Sequence, residues 1–140
     1  MDIAVDHGAQ RPVVLLVEDE ALLRGATSEF LEMAGCVVIE AKTASEAIAT
    51  LESGISVDVV FSDVSLAGGM NGLALASRVR ARRPGLPVVL TSGHGGPVKQ
   101  LAVELVGAER FLPKPYHLEE VAERLRGAAR NRRSNGRSPH

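Results

Sequence analysis

Five short strand-like runs, each followed by a stretch with helical spacing, constrain this chain more than any other feature. They are Val13–Val17, Cys36–Ile39, Val57–Phe61, Leu86–Leu90 and Glu109–Leu112. Each is too short for a helix, four are dominated by β-branched or aliphatic residues, and Gly or Pro punctuates the boundaries, so each reads as a strand. Every connection is too long for a hairpin and contains a helix, which makes the strands parallel and the class α/β. The expected fold is a doubly wound (βα)5 unit. Right-handed crossovers and two sheet faces to cover favour the flavodoxin-like order 2-1-3-4-5, with the switch point between strands 1 and 3.

The helices are legible one by one. Residues 21–34 carry Leu22, Leu23, Ala26, Phe30, Met33 and Ala34 as the expected inner stripe, and Gly35 follows as a terminator. Thr43-Ala-Ser-Glu46 is a capping box opening a helix with Ala44, Ala47, Ile48 and Leu51 inward, ended at Gly54. A third helix is expected from Leu73 to Arg82, stopped by Pro84-Gly85, and a fourth from Pro97 with Val98, Leu101, Ala102 and Leu105 aligned. The last runs from Leu118 to Ala129. Residues 1–11 read as a flexible leader, 12–129 as one domain and 130–140 as a disordered Arg-rich tail.

Composition narrows the function classes. The chain has 140 residues, enough for one self-sufficient core, and its aromatic content is only 3% with no Trp, so that core is aliphatic. A formal charge of -1 calls for neither nucleic acid nor an anionic membrane as partner. Arginines crowd the stretch from Arg124 to Arg137, where no acid occurs. Without interleaved aromatics they read as a solvated helix end and linker rather than a nucleic-acid arm. The single cysteine, Cys36, excludes an internal disulfide and multi-cysteine metal sites. No apolar run has spanning length and no signal pattern opens the chain, so the expected location is cytoplasmic.

The chemistry lies at the strands' carboxyl ends, where open α/β sheets bind ligands. Strand 1 ends in Glu18-Asp19, strand 3 in Asp63, strand 4 in Thr91-Ser92, and strand 5 runs into Lys114. Taken singly, Asp19 and Asp63 could cap a helix or turn, Thr91 could satisfy a strand end, and Lys114 could be solvated. Taken together, three carboxylates confined to one rim repel one another, and a hard divalent cation relieves that repulsion. Mg2+ fits best: it accepts one or two protein carboxylates, keeps waters and shares phosphate oxygens. A lysine and a hydroxyl beside such a site suit phosphoryl transfer, with a carboxylate as nucleophile.

These residues resemble the receiver domain of two-component response regulators, and the resemblance covers Pro12 to Ala129. Glu18-Asp19 looks like the family's acidic pair, Asp63 like its phosphoacceptor, and Ser65 like the residue whose carbonyl reaches the metal. Thr91 resembles the switch hydroxyl, Phe111 the switch aromatic, and Lys114-Pro115 the pair whose peptide bond is cis. The resemblance implies Mg2+ held by Glu18, Asp19, Asp63 and Ser65, and a phosphoryl group taken from a histidine kinase or phosphotransfer protein. It implies signalling through helix 4, strand 5 and helix 5 to a downstream protein or a second copy, with no turnover of an external substrate. Three departures stand out: Glu18 replaces the commoner Asp, the loop after Asp63 has Ala67 for Pro and one extra residue, and His94 replaces an aromatic. Two other readings compete. One is a receiver-like interaction module that ignores phosphate; the other is a small Mg2+-dependent phosphatase, for which Asp63-Val-Ser65 lacks the second acid.

Overall fold

A computed structural model describes residues 11–136. The expected leader, apart from Arg11, and residues 137–140 lie outside the described residues. The strands are β1 (Val13–Val17), β2 (Val37–Ala41), β3 (Val59–Asp63), β4 (Val88–Ser92) and β5 (Phe111–Pro113). The helices are α1 (Ala21–Met33), α2 (Ala44–Glu52), α3 (Gly72–Arg82), α4 (Gly96–Val106) and α5 (Leu118–Gly136). All strand pairs are parallel and the order is β2-β1-β3-β4-β5, as the crossover argument requires.

Strand residues alternate between two cores, which is why β1, β3 and β4 read as unbroken apolar runs. Leu15, Val17, Val60, Leu90 and Phe111 pack with α2, α3 and α4 through Ala47, Leu75, Val79 and Ala102. Val14, Leu16, Val59, Phe61, Val89 and Leu112 pack on the other face with Leu31, Val121 and Leu125 of α1 and α5. Beneath the sheet, the buried carboxylate of Asp58 accepts the Val13 N–H at 2.8 Å, pinning the start of β1.

The structure corrects the bounds of four elements and one helix face. Strand β4 begins at Val88 and ends at Ser92, so Thr91 and Ser92 are strand residues and both are buried. The expected start of the fifth strand, Glu109-Arg110, belongs to a 3-10 turn over Ala108–Arg110. Gly107, at φ 95°, ends α4 and launches that turn. Strand β2 starts one residue late and extends to Ala41. Helix α5 continues past Ala129 to Gly136, so the expected disordered tail is helical to that point. Arginine is a good helix former and cations favour a helix C-terminus, which allows a helix to outrun its apolar stripe.

The face corrected is part of that of α1, where Phe30 and Ala34 pack against the core as expected but Leu22 and Met33 do not. Thr27, Ser28 and Leu31 are buried, whereas Leu22 is 84% and Met33 80% exposed. At roughly 100° per residue Leu22 falls opposite Leu31, so the two cannot share the inner side. The inward row is Arg24, Thr27, Ser28 and Leu31, spaced i, i+3, i+4, i+7, and it contains polar side chains that a hydrophobic count assigns to solvent.

Candidate functional site

The carboxyl ends of β1, β3, β4 and β5 form one rim because the parallel register aligns them. Asp63 stands opposite Thr91 in the β3–β4 ladder and Thr91 opposite Leu112 in the β4–β5 ladder. Asp63 is 8% exposed and its two oxygens are divided. Oδ2 accepts from Lys114 Nζ at 2.6 Å, and Oδ1 accepts the Ser65 N–H at 3.0 Å. The second bond is the local turn contact expected of an Asp after a strand. The first joins residues 51 positions apart, which turn formation alone would not require.

Glu18 and Asp19 leave β1 in different directions. Glu18 is buried, and its carboxylate accepts the Glu20 N–H at 3.1 Å. Asp19 is exposed and reaches across the rim, where Oδ2 accepts the Ala67 N–H at 3.0 Å. Asp19 therefore does not cap α1, whose N-cap is Glu20 without a side-chain bond. Asp19 instead ties the β1–α1 loop to the loop after β3, in which Gly68 and Gly69 supply φ values of 82° and 78° that only glycine adopts cheaply.

The site's electrostatics follow from its crowding. Burial pushes the Glu18 carboxyl above the ordinary glutamate range; the Glu20 N–H pulls the other way, and Asp63 and Asp19 add to the rise. Burial disfavours the charge on Lys114, but its hydrogen bond to Asp63 and the charges of Asp63 and Glu18 outweigh that and raise its pKa. Tyr116, whose ring meets Phe61 edge-on at 6.3 Å, is also raised, chiefly by burial.

The Glu18 shift makes a testable prediction. A group whose folded-state pKa is raised favours folding only while protonated, and that contribution is lost as pH rises through the raised value. Glu18→Gln should therefore raise the metal-free melting temperature at pH 7 by a few degrees, with the gain shrinking as pH approaches 4.5, the ordinary glutamate value. Thermal unfolding at both pH values checks it; a loss of stability at pH 7 contradicts it.

Thr91 Oγ1 is buried and has no hydrogen-bond partner among the described residues, a state that costs about 1–3 kcal/mol and calls for an explanation. Its backbone carbonyl, by contrast, accepts the Val64 N–H at 2.9 Å. Phe111 is 4% exposed and already lies in the core beside α4. The Lys114–Pro115 peptide bond is cis. His94 folds back on β4, its N–H donating to Ser92 Oγ at 3.0 Å.

One residue of the site was not singled out from the sequence. A Cβ on Gly72 would lie 2.2 Å from the Asp63 carbonyl oxygen and 2.8 Å from Val64 Cα. Its N–H donates to Val64 O at 2.7 Å, so α3 starts directly against the backbone that carries Asp63. The available signal was an Asn71-Gly72 pair immediately before a helix, with Asn71 Oδ1 capping Ala74 N.

The residues present fit a hard divalent cation, although no three His, Cys, Asp or Glu among the described residues converge as a preformed ion cage. Asp63 is engaged by Lys114, and Asp19 by Ala67. Mg2+ needs few protein ligands and keeps its waters, and a cation would offset the burial that chiefly raises Glu18 as well as the smaller repulsion from Asp63.

A parallel (βα)5 sheet with acids, a hydroxyl and a lysine on one rim defines the class of CheY-like receiver folds. Residues 14–126 match the family described as "Response regulator receiver domain", and the chain belongs to that family. It is 37% identical over 124 residues to the C4-dicarboxylate transport transcriptional regulatory protein DctD of Rhizobium meliloti, covering 87% of this chain and 26% of that protein. The chain thus spans about a quarter of the length of that relative. Among solved structures, the signal receiver domain of an HD domain-containing protein from Pseudomonas fluorescens matches with TM-score 0.80 at 26% identity, covering 89% of this chain and 99% of that one. The response regulator TrrA of Thermotoga maritima, solved in complex with Mg(2+)-BeF, shares the fold with TM-score 0.74 at 21% identity, over 84% and 98% of the two chains. Among the described residues no helix is long and apolar enough to cross a membrane.

Proposed function

We propose that this receiver domain accepts a phosphoryl group on Asp63 from a phosphohistidine of a kinase or phosphotransfer protein. The observation that carries the reading is the near-buried Asp63 carboxylate, bonded by Lys114 and the Ser65 N–H beside the unpartnered Thr91 hydroxyl. A carboxylate oxygen forms the new O–P bond while the donor's N–P bond breaks, and the departing imidazole takes the electron pair and picks up a proton. Lys114 stays to pair with the added negative charge, and Thr91 Oγ1 donates to a phosphoryl oxygen, gaining the partner it lacks. Glu18, Asp19, Asp63 and the Ser65 carbonyl would hold Mg2+, which supplies charge neutralisation around the phosphoryl oxygens when bound. A related fold bound to Mg(2+)-BeF supports that assignment by analogy.

The output follows from the same contact. As Thr91 turns toward the phosphoryl group, the neighbouring strand β5 and helices α4 and α5 repack around Phe111, presenting an altered face to a downstream protein or a second copy. DctD is named as a transcriptional regulatory protein, so an output that reaches transcription fits this reading as well. The chain accepts a group rather than turning over a substrate.

Intact-mass spectrometry after incubation with acetyl phosphate and Mg2+ tests this. Wild type should gain one phosphoryl group and Asp63→Asn none. An unmodified wild type, or equal labelling of the variant, points instead to a phosphorylation-independent interaction module.

A further inference from the structure

Arg24 occupies the polar inner row of α1, and its side chain is only 11% exposed. Its NH1 donates to the Glu18 carbonyl at 2.9 Å, and its Nε donates to Glu40 Oε1 on β2 at 3.1 Å. The Glu18 N–H is held from the same side of the sheet by Ala41 O at 3.1 Å. The peptide groups flanking Glu18 are therefore fixed at both ends, one by β2 and one by a guanidinium that β2 itself orients. From this pinned residue the Glu18 carboxylate faces the Asp63 rim, and Asp19 crosses to the Ala67 N–H.

We infer that Arg24 is a positioning residue for the acidic pair, setting the Mg2+ affinity of the site without touching the ion or the phosphoryl group. The inference rests on the proposed function above. Four features distinguish it from an ordinary surface ion pair. The arginine is nearly buried, its principal acceptor is a backbone carbonyl, its carboxylate partner Glu40 is 43% exposed, and the bond falls on the residue that delivers a site carboxylate. Glu40 can be solvated if abandoned; the Glu18 carbonyl, inside the rim, would lose its donor. A guanidinium donates in two fixed directions at once, whereas a lysine ammonium is a single point charge on a flexible stem. Outer groups that orient metal ligands commonly change metal affinity by roughly tenfold or more when removed.

The test uses the whole chain. Tyr116 is its one tyrosine and there is no tryptophan, so tyrosine fluorescence reports from beside Glu18, Asp63 and Lys114 as Mg2+ is titrated. The same Mg2+ series is then run with acetyl phosphate, reading labelling by mass. In Arg24→Met the half-saturating Mg2+ concentration should rise roughly tenfold in both readouts. Maximal labelling at saturating Mg2+ should be restored, Arg24→Lys should fall between the two, and Glu40→Gln should shift the midpoint less than Arg24→Met. An unchanged midpoint in a folded Arg24→Met or Arg24→Lys protein overturns the inference. So does a labelling loss that no Mg2+ concentration recovers, which would mark a merely structural role. If wild type itself shows neither Mg2+ response nor labelling, the receiver function fails first, and that outcome is distinct from a wild type that responds while the variants match it.

Discussion

Gly72→Ala should cost about 3 kcal/mol of stability and most of the phosphoryl acceptance, although Gly72 bears no chemical group. The new Cβ would sit 2.2 Å from the Asp63 carbonyl oxygen, and the other close atoms, Val64 Cα and Asp63 C, are backbone as well. No flexible side-chain end is available to yield. Either α3 retreats, breaking the 2.7 Å bond from Gly72 N to Val64 O, or the end of β3 shifts. Forcing backbone movement in a packed interior typically costs about 1–3 kcal/mol, and a clash this short belongs at the upper end. Either relaxation also moves Asp63 relative to Lys114, whose 2.6 Å bond leaves little tolerance. Chemical denaturation together with acetyl-phosphate labelling checks this; a Gly72→Ala protein with wild-type midpoint and labelling would show that the approach is not constraining.

The second prediction separates stability from signalling at one atom. Thr91→Val replaces an unpartnered buried hydroxyl with a methyl of nearly the same shape, so the unphosphorylated protein should become more stable by about 1 kcal/mol. Phosphoryl acceptance should persist, because Asp63 and Lys114 are untouched. The response should not, since the valine cannot donate to the phosphoryl group, and without that differential contact phosphorylation has less means to shift the conformational balance. In wild type, amide exchange should change on phosphorylation from Thr91 to Arg126; in Thr91→Val the change should be confined to the loop after Asp63. A destabilised Thr91→Val, or one with an undiminished exchange response, refutes the role assigned to this hydroxyl.

The particulars show why the fold was more legible than its details. The strands announce themselves because parallel strands are covered on both faces, so their residues are apolar whichever way they point. That same uniformity hides where a strand stops when its last residues are polar but buried. The apolar run stops at Leu90, whereas the strand continues through the buried Thr91 and Ser92. Helix α1 misled for the converse reason: Leu22 and Met33 are apolar yet exposed, while Arg24 and Thr27 face inward. The inward placement of Arg24 depends on acceptors supplied by Glu18 and Glu40, which periodicity does not reveal.

At the site, the sequence brought Asp63, Lys114, Thr91 and the acidic pair to one rim through topology alone. It could not show that Asp19 spans to Ala67, that the Thr91 hydroxyl lacks a partner, or that α3 abuts the Asp63 carbonyl. Those facts depend on distances between elements rather than on residue type. The early burial of Phe111 is of the same kind, and it means that a swing of this ring from solvent is not the motion to seek.

The proposed phosphoacceptor, Asp63, can be identified through the chemistry of its acyl phosphate. Borohydride reduces an acyl phosphate to the alcohol, converting a phosphorylated aspartate to homoserine while leaving free carboxylates and phosphohistidine unreduced. Peptide sequencing of the phosphorylated, reduced and digested protein should find homoserine at position 63 alone. Homoserine at position 19, the alcohol derived from Glu18 at position 18, or a labelled protein with no reduced residue would contradict the account.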